Sequence, residues 1–181
     1  MIQKIWLLNI DWDQNLPCQE IGNFQRYVAE LHQLKDLKIP RCILLKDSVA
    51  VQLIGVADAS AQAYGACLYV KSENANETQI RLLCSKTRIA PLKTLSIPRL
   101  ELFAATLLSK LTSNIVKIID LEFDEAHLFS DSKVVLEWIQ MQPHLLKVFV
   151  ANRVSLTHKL TQTFSLHHVK TKKQLILLQL N

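Results

Sequence analysis

The sequence contains little glycine and no long apolar run. It has three glycines, five prolines and four cysteines among 181 residues, a composition that excludes collagen-like and disulfide-dense secreted proteins. The cysteines form no CxxC pair, so we interpret them as free thiols in a reducing compartment rather than as a zinc site. No apolar run reaches the ~18 residues of a membrane span, and no secretory signal is present. We therefore expect a cytoplasmic or nuclear protein that is neither secreted nor inserted in a membrane.

The composition that remains is that of a folded protein with a basic surface. Apolar residues make up 49% of the chain and charged residues 20%, which is enough to bury a core. The 21 Lys and Arg exceed the 16 Asp and Glu, so the formal net charge is +5. This excess weakly favours a polyanionic partner, although many unrelated proteins are as basic.

Hydrophobic periodicity divides the chain into two main segments. Residues 1–50 predict a helical connection segment with a second helix over about 19–35, followed by a break at Pro40. From residue 51 the pattern predicts strands and helices in the order β-β-β-α-β-α-α-β, which indicates an α/β fold with a mixed sheet. The predicted strands cover 51–57, 64–70, 80–86, 126–129 and 164–169, and the predicted helices cover 96–119, 132–140 and 148–160.

Three carboxylates stand where local rules do not favour them. Asp58 ends an apolar strand, although a turn-forming Asp is common there. Glu101 shares the apolar face of a predicted helix with Ala104 and Leu108, although a position in the first turn favours an acid through the helix dipole. Asp131 follows a short strand and opens a helix, where it could act as an N-cap. Each acid alone has a structural explanation.

Taken together, the three acids indicate a metal site. Two acids at strand ends and a third on the intervening helix can converge at one edge of a sheet, where their charges repel unless a hard cation lies among them. Mg²⁺ binds such a group of carboxylates and completes its shell with water and phosphate oxygens. Two ions ~3.5–4 Å apart would suit phosphodiester hydrolysis.

Four blocks of the sequence resemble the ribonuclease H region of BEL/Pao-type retrotransposon polyproteins. They read GVADASAQAYGACLYV, KTRIAPLKTLSIPRLEL, FSDSKVVLEWI and FVANRVSLTHKL, and the APLKT-IPRLEL block is the most specific. The earlier IWLLNIDWDQNLP and IPRCILL resemble the segment that joins reverse transcriptase to this region. The resemblance covers about residues 2–170. It divides the chain into a helical connection segment (1–50), a ribonuclease H-like domain (51–170) and an aberrant tail (171–181).

The resemblance implies a ribonuclease H-like fold with a mixed five-stranded sheet flanked by helices. Asp58, Glu101 and Asp131 match the family's first three metal-binding acids. The implied activity is cleavage of RNA in an RNA–DNA hybrid with Mg²⁺ or Mn²⁺ as cofactor, inside a virus-like particle. The implied partners are the reverse transcriptase and integrase parts of the parent polyprotein.

A cationic stretch precedes Glu101. Residues 78–100 contain no acid, and we expect a basic loop there that neutralises hybrid phosphates, although a solvated loop would have the same composition. Its candidate nucleic-acid-binding residues are Arg81, Lys86, Arg88, Lys93 and Arg99.

The end of the sequence departs from the family pattern. The family's fourth acid follows the last strand, but here His168-Val169-Lys170 is followed by no acid, and none occurs after Glu137. A two-base frameshift across Gln174–Asn181 would restore Ala-Asp and would explain the missing acid. Because the fourth acid is missing, we predict a polyprotein fragment with weak or no hydrolysis. The alternatives are a non-catalytic nucleic-acid-binding remnant, an inert pseudogene product, and the peptidase with which this region is also catalogued. The peptidase has the least support, because no Asp-Thr/Ser-Gly motif is present.

Overall fold

The computed structural model describes residues 2–161 and 164–169. The chain divides into two compact units, residues 1–41 and residues 42–181. The first unit contains helix α1 (Ile2–Leu7) and helix α2 (Cys18–Glu30), and a 3₁₀ segment (Leu31–Asp36) continues α2. The predicted second helix is therefore present, but its last turn is wound more tightly than an α-helix. None of the helices described has the length and apolar character needed to cross a bilayer.

The second unit is a five-stranded mixed sheet with helices. Its strands are β1 (Ala50–Ala59), β2 (Ala63–Glu73), β3 (Thr78–Ile89), β4 (Glu125–Ser130) and β5 (Ser165–His168). Its helices are α3 (Ile97–Ile118), α4 (Lys133–Gln140) and α5 (Val148–Leu160), with a 3₁₀ turn at Pro143–Leu145. The sheet order is β3-β2-β1-β4-β5. The first three strands pair antiparallel, whereas β4 runs parallel to β1 and β5 parallel to β4. The predicted α/β class and element order are confirmed.

The main core lies between the sheet and α3. Leu53 and Ala57 of β1 alternate toward this face, as the two-residue period of a strand requires, and pack with Leu68, Leu108 and Leu128. Gly55 lies between Leu53 and Ala57 on the same face. A Cβ atom there would lie 2.6 Å from Leu128 Cδ2 and 2.8 Å from Leu108 Cδ1. Glycine therefore lets α3 approach the sheet closely beneath β1, the strand that carries Asp58 near its end.

A second core lies on the other side of α3. Leu102 and Ala105 pack there with Val135 of α4 and with Val150 and Val154 of α5. The helix is therefore buried on two sides, and not only on the face that Glu101 shares with Ala104 and Leu108. The small hydroxyl residues of α3 are also buried; they are Thr106, Ser109, Thr112 and Ser113. Two of these hydroxyls bond back to the preceding turn of the helix: Thr106 Oγ1 donates to Leu102 O at 2.8 Å, and Ser109 Oγ donates to Ala105 O at 2.9 Å.

Residues 42–49 belong to the second unit, although the sequence placed its start at residue 51. The segment runs along the end of β2 and the turn that follows it. Leu45 N donates to Ser72 Oγ at 3.1 Å, Val49 N donates to Glu73 O at 2.8 Å, and Asn74 Nδ2 donates to Lys46 O at 3.1 Å. These bonds come from residues distant in sequence, so local periodicity carries no sign of them.

Candidate active site and cationic surface

Asp58 and Asp131 lie side by side at one edge of the sheet. Ala57 and Ser130 are partners in the parallel β1–β4 ladder, and each acid is the next residue along its chain. Neighbouring strands are about 4.8 Å apart, so the two carboxylates are within reach of a shared ligand. Asp58 is exposed and Asp131 is half-buried. Asp58 Oδ1 accepts a hydrogen bond from the backbone N–H of Ala59 at 2.7 Å.

Glu101 is tied to the same edge through Ser132. Ser132 Oγ donates to Glu101 Oε2 at 2.6 Å and accepts from Val135 N at 3.3 Å. Ser132 is 6% exposed and follows Asp131 directly, so α3 reaches the end of β4 through this hydroxyl. Sequence reasoning missed this residue. Asp131 was the expected N-cap of this helix, and no local pattern indicates that Ser132 bonds to a helix 31 residues away.

The structure corrects two local explanations for these acids. Helix α3 begins at Ile97 and has no acid in its first turn, so Glu101 lies in the second turn, where the dipole effect has declined. The N-cap of α4 is Ser132 and not Asp131. Capping and dipole effects therefore do not account for the two residues.

The three acids fit a hard divalent cation by the chemistry of their oxygens, but the structure does not assemble them as a ligand set. Within the described ranges, no group of three His, Cys, Asp or Glu side chains is spaced to hold a metal ion. Strand alternation gives one reason: Asp58 follows Ile54 and Val56 and so lies on the face opposite α3, from which Glu101 comes. A carboxylate accepts about four bonds, so the hydrogen bonds of Asp58 and Glu101 leave both able to bind an ion.

A family model decides the classification. The model described as "Pao retrotransposon-like RNaseH-like domain" matches residues 1–132, which is more than half of the chain and includes all three acids. The chain belongs to this family. No curated protein matches it.

Solved structures similar to this Pao-type domain include cellular and viral enzymes. The N-terminal RNase H domain of Rv2228c from Mycobacterium tuberculosis has 14% identity, covers 70% of this chain and 88% of that chain, and has a TM-score of 0.48. LC11 RNase H1 from compost, solved with an RNA/DNA hybrid, has 12% identity, coverages of 68% and 87%, and a TM-score of 0.40. The foamy viral protease-reverse transcriptase, solved with dsDNA, has 12% identity, coverages of 67% and 82%, and a TM-score of 0.43.

The cationic residues of the Pao-type domain do not form the loop that the sequence suggested. Strand β3 extends to Ile89, so Arg81, Lys86 and Arg88 lie on an edge strand and only Lys93 lies in the loop before α3. Lys86 pairs with buried Ala66 and Arg88 with Tyr64, so both lie on the face that carries α3. The predicted strand ended at residue 86, but β3 continues to Ile89 because its hydrogen bonds to β2 continue to that residue.

Arg99 lies apart from these strand residues, against the second core. Its Cζ is 4.9 Å from the ring centroid of Phe149, and Arg153 Cζ is 3.8 Å from the same ring. Arg153 also lies 4.5 Å from the centroid of Phe103. Sequence reasoning did not single out Arg153, because an arginine in an amphipathic helix is ordinarily a solvated residue.

Strand β5 ends at the acidic edge of the sheet. Ser130 pairs with His168, and Val169 N donates to Ser130 O at 3.1 Å. In the family pattern the fourth acid comes after the last strand, so it would follow β5 at this edge of the sheet. Lys170 and the predicted aberrant tail lie outside the described residues.

Proposed function

We propose that the second unit is a divalent-metal-dependent endonuclease domain that acts on the RNA strand of an RNA–DNA hybrid. The observation that carries this proposal is the meeting of Asp58, Asp131 and the Glu101–Ser132 bond at one edge of the sheet. Membership of a retrotransposon RNase H-like family supports the same reaction class. The hybrid substrate and the choice of Mg²⁺ or Mn²⁺ are extensions of that family relationship.

Each acid has a distinct part in this proposal. Asp58 and Asp131, next to each other at the strand ends, would be the shared ligands, and Glu101 would complete the set from α3. When bound, divalent ions would supply an activated water and stabilise the leaving oxygen. Ser132 holds Glu101 near the edge by its short hydrogen bond, so it is a positioning residue rather than a ligand. No acid follows Glu137 in this chain, so we expect slow turnover.

The proposal is tested with labelled RNA–DNA hybrid and Mn²⁺ or Mg²⁺. We expect slow cleavage of the RNA strand by the wild-type chain and at least a hundredfold loss in Asp58→Asn, because removing a shared charge weakens ion binding. Asp120→Asn is the matched control, since Asp120 is exposed and follows α3 away from the edge. Equal cleavage by wild type and Asp58→Asn would contradict the assignment.

A second measurement covers the case of undetectable turnover. An ion that binds only the folded state raises the thermal midpoint. Mn²⁺ should therefore raise the unfolding temperature of the wild type more than that of Asp58→Asn, with Asp120→Asn behaving as wild type. An identical shift in all three proteins would count against an ion site at the acidic edge.

A non-catalytic nucleic-acid-binding module is the second candidate. It is favoured by the absence of a closed three-ligand set among the described residues and by the lack of an acid after Glu137. Such a module would bind the hybrid equally with and without divalent ion and would not cleave it. Neither a peptidase nor an inert product without a stable fold gains support. The matched family is described as RNase H-like and not as a peptidase. A cooperative thermal melt would exclude an inert product without a stable fold.

The proposed setting follows from the same family. We expect the domain to act beside the reverse transcriptase and integrase parts of its polyprotein, in the cytoplasm inside a virus-like particle. The cations that would contact hybrid phosphates are those on β3, in the following loop and at the start of α3, namely Arg81, Lys86, Arg88, Lys93 and Arg99.

A further inference from the structure

An apolar stripe runs along the second helix of the first unit. None of the 13 residues of α2, all of them described, is buried, and its large apolar side chains recur three or four residues apart. The 3₁₀ segment continues the stripe, because a helix with three residues per turn aligns side chains that are three residues apart. The stripe residues are between 39% and 58% exposed, and they are Ile21, Phe24, Tyr27, Val28, Leu31 and Leu34.

A helix of this length is not stable with its apolar face uncovered. An isolated helix shorter than about 12–15 residues is marginal in water, and most helices in proteins are stabilised by the packing of an apolar face. No side chain among the described residues caps the N-terminus of α2, so capping does not supply the missing stability. The stripe therefore needs a second surface to cover it.

We propose that a second copy of this chain covers the stripe, with the two α2 helices packed antiparallel about a twofold axis. A twofold contact uses the same patch on both copies, so the stripe forms both sides of the interface. With the axis midway between Phe24 and Val28, Phe24 lies opposite Val28 of the other copy and Ile21 lies opposite Leu31. Each of these four positions then meets an apolar side chain.

Charge complementarity favours the antiparallel arrangement. Glu20 lies in the first turn of α2, beside the stripe, and its Oε2 is buried without a hydrogen-bond partner among the described residues. Lys35 lies in the last turn of the 3₁₀ segment, at the other end of the stripe. In an antiparallel pair the end that carries Glu20 meets the end that carries Lys35 of the other copy, and the helix dipoles oppose each other. A parallel pair would instead bring like charges together.

The area of the stripe is sufficient for a weak dimer. Its six side chains are about half exposed, so at on the order of 200 Å² for a large side chain they offer on the order of 500 Å² per copy. The resulting ~1,000 Å² for the pair lies at the lower limit of specific interfaces. We therefore expect a Kd in the micromolar range, because the entropy cost of association offsets most of the gain from an interface of this size.

The experiment measures the mass of the full chain by sedimentation equilibrium between about 1 and 200 μM. The wild type should change from 20.7 kDa to twice that mass. Val28→Asp, on the stripe, is paired with Ala29→Asp, on the polar side of the same helix. Both residues are exposed, so both variants should fold, which circular dichroism checks. Val28→Asp should raise the Kd at least tenfold, and Ala29→Asp should stay within about twofold of wild type.

A second pair of variants removes apolar surface without adding charge. Phe24→Gln should raise the Kd at least tenfold, because Phe24 lies at the centre of the proposed contact. Ile118→Gln, at the end of α3, is the control for the loss of an exposed apolar side chain elsewhere, and its Kd should match that of the wild type.

Charge reversal tests the antiparallel arrangement. Glu20→Lys and Lys35→Glu should each raise the Kd about three- to tenfold, and the double variant should return to within about twofold of wild type. Within one copy the two residues are roughly 20 Å apart along the helix, beyond the Debye length of ~10 Å at 0.1 M salt. Rescue by the double variant would therefore report a contact between copies.

The outcomes separate the possible occupants of the stripe. A wild type that stays monomeric at 200 μM would overturn the proposal, and the stripe would then be covered by another protein, such as the reverse transcriptase part of the polyprotein. A dimer that Val28→Asp and Ala29→Asp weaken equally would also overturn it, because the contact would lie elsewhere. Loss of the dimer in Val28→Asp without rescue by the double charge reversal would overturn the antiparallel arrangement.

This inference is independent of the proposed nuclease. Sedimentation records mass and not cleavage, so a dimer that Val28→Asp dissociates supports the contact whether or not the wild type cleaves a hybrid. Cleavage by a chain that stays monomeric would support the nuclease and reject only the dimer.

Discussion

Ser132 provides the sharpest test of how the acidic edge is built. Its hydroxyl caps α4 through Val135 N at 3.3 Å and donates to Glu101 Oε2 at 2.6 Å. Loss of an N-cap costs about 1 kcal/mol, and a hydrogen bond to a charged group contributes about 1.5–3 kcal/mol. Glu101 is half-buried, so water can replace part of the second bond. We therefore expect Ser132→Ala to lower the free energy of unfolding by about 2–3 kcal/mol.

A double-mutant cycle separates the two bonds. Glu101→Ala removes only the bond between helices, so the coupling energy between Ser132→Ala and Glu101→Ala should be about 1–2 kcal/mol, and the remainder of the serine effect is the cap. Urea unfolding followed by circular dichroism at 222 nm measures all three variants. Ser85→Ala, on the exposed side of β3, is the control and should lie within about 0.5 kcal/mol of wild type. A coupling energy of zero would refute the claim that this hydroxyl anchors α3 to the end of β4.

Two further predictions concern the sheet. Gly55→Ala should lower the free energy of unfolding by about 1–3 kcal/mol, because the new methyl group would overlap buried leucine side chains. Gly65→Ala, whose Cβ would meet nothing closer than 3.4 Å, should have no such effect, and equal stability of the two variants in urea would contradict the packing argument. Burial raises the pKa of Cys67, against a weaker lowering by its hydrogen bond to Tyr69. The native state therefore holds this proton more tightly than the unfolded chain does, so its contribution is complete below the ordinary thiol pKa of about 8.5 and is lost as the pH rises above it. Cys67→Ala should flatten the loss of stability between about pH 8 and 10, and curves of the same slope would reject this.

The order and type of the elements could be predicted because their periodicities are strong. The apolar run of β1 and the regular apolar spacing of α3 each follow from burial in the core, and both elements occur where the sequence indicated. The ends of elements were less predictable. Strand β3 runs past Lys86 because its partner β2 continues to pair with it, and this long-range hydrogen bonding leaves no local signal in a polar stretch.

The parts of the site that the sequence did not indicate are those made by contacts distant along the chain. The sequence does not single out Ser132, and its bond to Glu101 depends on how α3 crosses the sheet. Arg153 reads as a solvated residue of α5, and only the packing of Phe103 and Phe149 around it fixes its guanidinium. Periodicity predicts which face of an element is buried, but it does not predict which neighbour meets a polar side chain.

Strand direction, rather than the spacing of the acids in the sequence, brings the candidate site together. Strands β1 and β4 are parallel, so Asp58 and Asp131 leave the sheet at the same edge. Were β4 antiparallel to β1, its six residues would carry Asp131 about 20 Å away, since a strand rises about 3.3 Å per residue. The antiparallel turn between β1 and β2 likewise returns Tyr64, the cross-strand partner of Ala59, to this edge. One topology thus brings two carboxylates that are 73 residues apart in the sequence to the same edge of the sheet, as the proposed function requires.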